Sequence, residues 1–204
     1  LPTCIFDIDM EKQNIDVVCF TGHKSLYGPQ GTGGICIKKG INIAPLKVGG
    51  SGIKTFEKTA PNSMPEHIEA GTVNSHSIAG LKAGLEFIQE TGISKIREKE
   101  NMLVKLFYDN IKDIKNIKIY GDFSVKERGP IVSVNLGNYS SSSVSDELFE
   151  RFEIATRSGG HCAPLMHKAL GTEKQGAVRF SFSYFNTEDE VLFAAKALKI
   201  LGEE

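Results

Sequence analysis

The stretch TGHKSLYGPQGTGG, Thr21 to Gly34, sets a lone lysine, Lys24, beside a histidine and among glycines at 22, 28, 31, 33 and 34. It follows directly on Ile15-Asp16-Val17-Val18-Cys19-Phe20, a run without alternation that reads as a strand covered on both faces. Glycines let backbone approach a ligand closely. The end of such a strand is also where open α/β sheets place their chemistry. A lysine taken alone is most often a solvated surface charge. This glycine setting instead suits an amine that must reach an aldehyde and a phosphate at once.

Outward from that loop, residues 33 to 37 read as a second strand and Ser77 to Glu90 as a helix with Ile78, Leu81, Leu85 and Ile88 on one face, closed by Gly92. Ser94 to about Asp113 reads as a longer amphipathic helix bridging two domains, with Ile96, Leu103, Phe107 and Ile114 toward a core. Short strands follow at Ile117 to Tyr120 and Ile131 to Leu136, then a serine loop at 140 to 143 and a helix near Val144 to Phe152. Val178 to Tyr184 alternates, with Val178, Phe180, Phe182 and Tyr184 on one face and Arg179, Ser181 and Ser183 on the other. Thr187 with Glu190 makes a capping box for a last helix whose Val191, Ala194, Leu198 and Leu201 share one side. The pattern predicts an α/β unit over residues 1–92 and a small α+β unit over 93–204.

A chain of 204 residues, 40% hydrophobic and 24% charged, can bury a core. A formal net charge of −1 with scattered lysines gives no pull toward nucleic acid or an anionic membrane. With no long apolar run and no basic-then-apolar leader, the expectation is a cytoplasmic protein without a membrane span. The cysteines at 4, 19, 36 and 162 lack CxxC spacing, which argues against a zinc site or a disulfide scaffold. Cys19 and Cys36 fall in apolar strand-like runs, where a cysteine acts as a small hydrophobe.

Three further loci carry chemistry. In ATRSGGHCAPLMHKALGT, Ala155 to Thr172, Cys162 follows Gly-Gly-His and precedes Ala-Pro, so it reads as a loop thiol. Arg157 and His161 would favour its thiolate, and the alternative is a buried loop cysteine. Arg179 lies on the polar face of an otherwise apolar strand, either as a surface ion pair or as a planar fork for a carboxylate. Gly71-Thr72 shortly before a helix suits a phosphate, and it equally suits routine capping.

Together the four loci resemble the class V, fold type I pyridoxal-phosphate enzymes, and within them the cysteine desulfurase and selenocysteine lyase branch. TGHKSLYGPQGTGG looks like the cofactor-lysine motif, and EAGTVNSHSIAGLKAGLEFI like the stretch that reaches the neighbouring subunit. RSGGHCAPLMH and VRFSFSYFNTEDEV look like the sulfur-accepting cysteine and the substrate-carboxylate arginine. The resemblance implies the latter part of a large cofactor-binding domain over residues 1–92, followed by a small α+β C-terminal domain. It implies that Lys24 bonds pyridoxal 5'-phosphate covalently and shuttles the α-proton. Thr21 and His23 would be ligands of the cofactor phosphate or its surroundings, and Thr72 a phosphate ligand donated across a homodimer interface. Arg179 would hold the carboxylate of cysteine or selenocysteine, and Cys162 would take the sulfur as a persulfide for a sulfur-acceptor protein.

The family sets an aspartate on the pyridine nitrogen, a stacked aromatic ring and part of the phosphate cup ahead of the lysine strand. Asp7, Asp9 and Asp16 do not match that aspartate, so the chain is expected to be an incomplete catalytic unit. The CAP sequence after His161 lacks a residue that better-known relatives have before the proline. The alternatives are another class V aminotransferase or lyase, a non-catalytic fragment that dimerises, and a cysteine hydrolase pairing Cys162 with His161 or His167.

Overall fold

The computed structural model describes residues 8–54, 56–125 and 128–204; Cys4 and Asp7 lie outside them. The chain is α/β and divides into two compact units, one ending at Gly92 and one running from Ile93 to Glu204.

In the first unit, β1 (Val17–Thr21) and β2 (Gly33–Ile37) form a two-stranded antiparallel sheet with Val17 opposite Ile37 and Thr21 opposite Gly33. The glycine stretch is therefore the connection of a hairpin. The expectation of a strand covered on both faces is corrected: Val17, Val18 and Phe20 are half-buried and Cys19 is exposed. Cys36 is exposed too, so neither thiol serves as a buried hydrophobe. An unbroken apolar run permits a covered strand without requiring one, because periodicity does not report what lies over each face.

Helix α1 (Ser75–Thr91) starts at Asn74, whose Oδ1 accepts the Ser77 N–H at 3.3 Å. It stops at Gly92, φ 90°, whose N–H donates to the Ile88 carbonyl at 2.8 Å. Leu81, Gly84 and Ile88 are buried, whereas Ile78 and Leu85, expected on the same face, are 49% and 44% exposed. Gly84 explains the rotation. Lacking a Cβ, it lets the Leu26 carbonyl approach the helix where any side chain would collide with it.

The second unit has three antiparallel strands in the order β3-β4-β5: β3 (Ile117–Tyr120), β4 (Ile131–Leu136) and β5 (Val178–Ser181). Ile119 pairs with Val134, and Val134 with Val178. Helices α2 (Ile93–Ile111) and α5 (Glu188–Glu203) pack against each other. With α3 (Ser141–Phe152) they enclose a core in which Leu103, Phe107, Val132, Val134, Leu148, Val178 and Leu198 are buried. The Phe107 ring lies 4.6 Å from Phe180 and 5.2 Å from Phe182.

Three readings change here. The serine run is helical from Ser141, because the Ser140 hydroxyl caps α3 by accepting the Ser143 N–H at 3.1 Å. Strand β5 ends at Ser181, and Ser183 to Asn186 form a turn held by Asn186 Oδ1, so Tyr184 is off the strand. A short helix, α4 (Pro164–Leu170), follows the cysteine loop, with proline in its first turn and Gly171 in the left-handed conformation at its end.

Candidate functional site

The first unit holds Lys24 on a pinned loop. The Gly22 N–H donates to the Thr32 carbonyl and the Gly28 N–H to the Gly22 carbonyl, both at 2.8 Å, and the Tyr27 N–H returns to the Lys24 carbonyl at 3.0 Å. Buried Leu26 and the edge-on contact of Tyr27 with Phe87 at 5.6 Å fasten the loop to α1. Against that frame His23 and Lys24 are exposed.

Next to them lie two enclosed hydroxyls, Thr21 Oγ1 and Ser25 Oγ, neither with a hydrogen-bond partner among the described residues. Leaving a buried hydroxyl unsatisfied costs on the order of 1–3 kcal/mol. An exposed amine flanked in sequence by two such groups fits a ligand with a carbonyl for the amine and oxygens for the hydroxyls. Ser25 was not singled out from the sequence, although a hydroxyl directly after the lysine was the available signal. Thr72 is exposed two residues before the cap of α1, after Gly71 at φ 94°. Asn74 does the capping, so Thr72 is not spent on it.

The second unit gathers Arg157, His161, Cys162 and Arg179. Arg157 and Arg179 exchange backbone hydrogen bonds, N–H to carbonyl at 3.2 Å one way and 2.8 Å the other, outside the regular ladder. From there the chain turns so that Arg157 Nη2 donates to Cys162 Sγ at 3.2 Å. Cys162 is exposed, which excludes the buried-cysteine alternative. His161 and Cys162 both have positive φ, 51° and 58°, a conformation that neighbours must impose on residues with side chains.

The loop is held from below. The Gly159 N–H donates to Ser141 Oγ at 3.1 Å and the Ala177 N–H to the Gly159 carbonyl at 3.2 Å. Gly176 packs so closely on Ser141 and Gly159 that a methyl there would collide with both. Buried Asn135 donates from Nδ2 to Gln175 Oε1 at 2.9 Å and to the Gly176 carbonyl at 3.0 Å, tying the segment to β4.

The His161 Nε2–H donates to the Arg157 carbonyl at 2.8 Å, which leaves Nδ1 as the acceptor of a neutral ring. Burial, then the neighbouring Arg179, His167 and Arg157, lower its pKa from the ordinary value, against the raising effect of that hydrogen bond. His167 is buried and engaged with Thr172 Oγ1 at 2.8 Å. Among the described residues neither histidine hydrogen-bonds the Cys162 sulfur, which speaks against a hydrolase pair. Arg179 Nε donates to Ser181 Oγ at 3.1 Å, and no carboxylate among the described residues forms an ion pair with Arg179. Burial and Arg157 hold Arg179 below the usual arginine pKa, opposed by Cys162. Two guanidinium groups beside one thiol make a place for anions.

The profile of the aminotransferase class-V family matches residues 5–193. A cysteine desulfurase of Salmonella agona is 32% identical over 90% of this chain and 45% of its own length. A probable cysteine desulfurase of Pyrococcus abyssi is 34% identical over 91% of this chain and 46% of its own. The chain thus spans about half the length of the curated relatives it matches. Among solved structures, the apo cysteine desulfurase of Thermococcus onnurineus superposes with a TM-score of 0.84 at 27% identity, covering 98% of this chain and 50% of that one. The cysteine desulfurase CsdA of Escherichia coli, in an S-sulfonic acid form, gives 0.86 at 25% identity, covering 98% and 49%. Matched by the family profile over residues 5–193, this chain belongs to the aminotransferase class-V family.

Proposed function

We propose that the chain carries the lysine, sulfur and carboxylate sites of a pyridoxal-phosphate-dependent cysteine desulfurase. The observation that carries this reading is the exposed Cys162 thiol under the Arg157 guanidinium, with Arg179 bridged to Arg157 through the backbone. Thr21, His23 and Thr72 would hold the cofactor phosphate and Lys24 its aldehyde carbon, as the exposed amine and enclosed hydroxyls of the hairpin suit. Bound there, pyridoxal phosphate supplies an electron sink for the bonds at the amino acid's α and β carbons.

Arg179 grips the substrate carboxylate with its planar fork. Lys24 moves the α-proton, and Cys162 attacks the substrate sulfur. A sulfur–sulfur bond forms as the carbon–sulfur bond breaks, and the carbon keeps the electron pair and takes a proton, leaving alanine and a Cys162 persulfide. In this reading residues 1–92 belong to the cofactor domain and 93–204 form a small α+β C-terminal domain. The protein acts as a cytoplasmic homodimer, with Thr72 serving the partner's site, and passes sulfur to an acceptor protein. No helix among the described residues is long and apolar enough to cross a membrane.

The test is a visible absorption spectrum after adding pyridoxal phosphate, with Lys24→Ala as control, followed by an assay of alanine from cysteine. A band absent in the variant is the expected result, and sulfur capture that Cys162→Ser abolishes is expected once the chain is combined with the N-terminal half of a class-V relative to complete the cofactor site. A band of equal strength in Lys24→Ala removes the lysine assignment. Persulfide formation that survives Cys162→Ser removes the sulfur assignment.

A further inference from the structure

We infer that Arg157 is a positioning residue for the sulfur chemistry, its guanidinium holding the Cys162 sulfur in register with Arg179. The inference rests on the proposed sulfur site and gives Arg157 a role within it.

Four observations converge on it. The Arg157 Nη2 contact at 3.2 Å is the sole hydrogen bond to the Cys162 sulfur among the described residues. No carboxylate among the described residues forms an ion pair with Arg157, so the sulfur is the group its positive end meets. The base of the same residue is fixed three ways. Its N–H and carbonyl are exchanged with Arg179, and its carbonyl also accepts the His161 Nε2–H. Finally, the successive positive φ angles at His161 and Cys162 fold the loop back on itself, which is what returns the sulfur to the guanidinium five residues earlier in the chain.

A hydrogen bond from a cation is strongest when its acceptor is charged. The arrangement therefore aims the guanidinium at the position where charge develops as the sulfur attacks, and it orients that sulfur relative to Arg179. Because the backbone bridge couples the two arginines, the sulfur and the substrate carboxylate are referred to one rigid pair of residues.

The test needs neither cofactor nor cysteine. The whole chain is alkylated with neutral iodoacetamide and with anionic iodoacetate, and the rate is read by mass spectrometry at Cys162, with exposed Cys19 and Cys36 as internal references. Arg157→Gln keeps every main-chain hydrogen bond and removes the charge, and Arg157→Lys restores a charge. In the parent, Cys162 is expected to outpace both references, more so with iodoacetate. Arg157→Gln should slow Cys162 by about tenfold, the size expected for losing a charge-assisted hydrogen bond to the reacting anion. The references should not change, and Arg157→Lys should recover much of the rate. A loop merely loosened by the substitution would leave the already exposed thiol at least as accessible as before, so its alkylation would not slow. A Cys162 rate in Arg157→Gln equal to or above the parent's overturns the inference. Failure of the desulfurase reading shows separately, as a missing Lys24-dependent band beside an intact alkylation pattern.

Discussion

His161 shows how much a single side chain at the sulfur loop is asked to do. Its ring is partly enclosed, and its Nε2–H is committed to the Arg157 carbonyl while guanidinium groups stand nearby. Protonation would bring a third positive charge to Arg157 and Arg179, so burial and those charges lower its pKa below the ordinary 6.5. In the unfolded chain the value returns to about 6.5. Between the two values the unfolded state binds more protons, so stability from this group is present above about pH 6.5 and lost as pH falls through the folded value. Urea denaturation at about pH 7.5 and about pH 5.5 should show the chain weaker at the lower pH. His161→Asn, whose side chain tolerates positive φ, should flatten part of that difference. An unchanged pH dependence in the variant would show that the ring is already free to protonate.

At the scale of the elements, Gly84 decides where the Lys24 loop sits. Replacing a helical glycine by alanine ordinarily stabilises by up to about 1 kcal/mol. At Gly84 the added methyl would meet the Leu26 carbonyl, a backbone atom that cannot swing aside, and the clash should dominate at about 1–3 kcal/mol. Chemical denaturation should show net destabilisation, and hydrogen exchange should report it at Leu26 to Gly28 first. For α5, Thr187→Ala removes the hydroxyl that accepts the Glu190 N–H at 3.2 Å, and should cost about 1 kcal/mol in the same assay.

The elements also show what the sequence made legible. Val132, Val134 and Leu136 alternate, and β4 lies where they predict it; the Thr187–Glu190 box opens α5 as its spacing requires. What escaped was set in part by partners distant in sequence and in part by local boundary signals. The buried face of α1 follows Gly84 and the loop carbonyl it meets, which no hydrophobic period reveals. Ser141 to Ser143 read as loop because serine is a poor helix former, although Ser140 is a good cap. Helix α4 hid behind Gly-Gly-His-Cys, with Pro164 and Gly171 as its unread boundary signals. The motifs pointed to Lys24, Cys162 and Arg179, but the bridge joining Arg157 to Arg179 belongs to no local pattern.

Across the whole molecule, apolar burial is unevenly shared. The principal core runs from Leu103 to Leu201 and lies wholly within the second unit, whereas the buried hydrophobics described in the first unit are Leu26, Leu81 and Ile88. Burying a leucine or phenylalanine side chain stabilises by roughly 1.5–3 kcal/mol, so a shared cluster of this extent can offset the entropy of ordering its own unit. Three residues leave the hairpin and α1 with a much thinner margin. Residues 93–204 expressed alone should therefore fold cooperatively, with dispersed amide resonances and an unfolding midpoint close to that of the same residues in the full chain. Leu198→Ala, at the fully buried centre of that core, should cost about 2–5 kcal/mol in the fragment and in the full chain alike. Hydrogen exchange in the full chain should then rank α2, β4 and α5 as slow and β1, β2 and the Lys24 loop as fast. A disordered fragment, or uniform protection across both units, would mean that the second unit draws its stability from residues before Ile93. The expected result would place the sulfur-bearing loop on the rigid unit and the lysine hairpin on the one with less to hold it, so ligand binding at Lys24 should raise protection in the hairpin most.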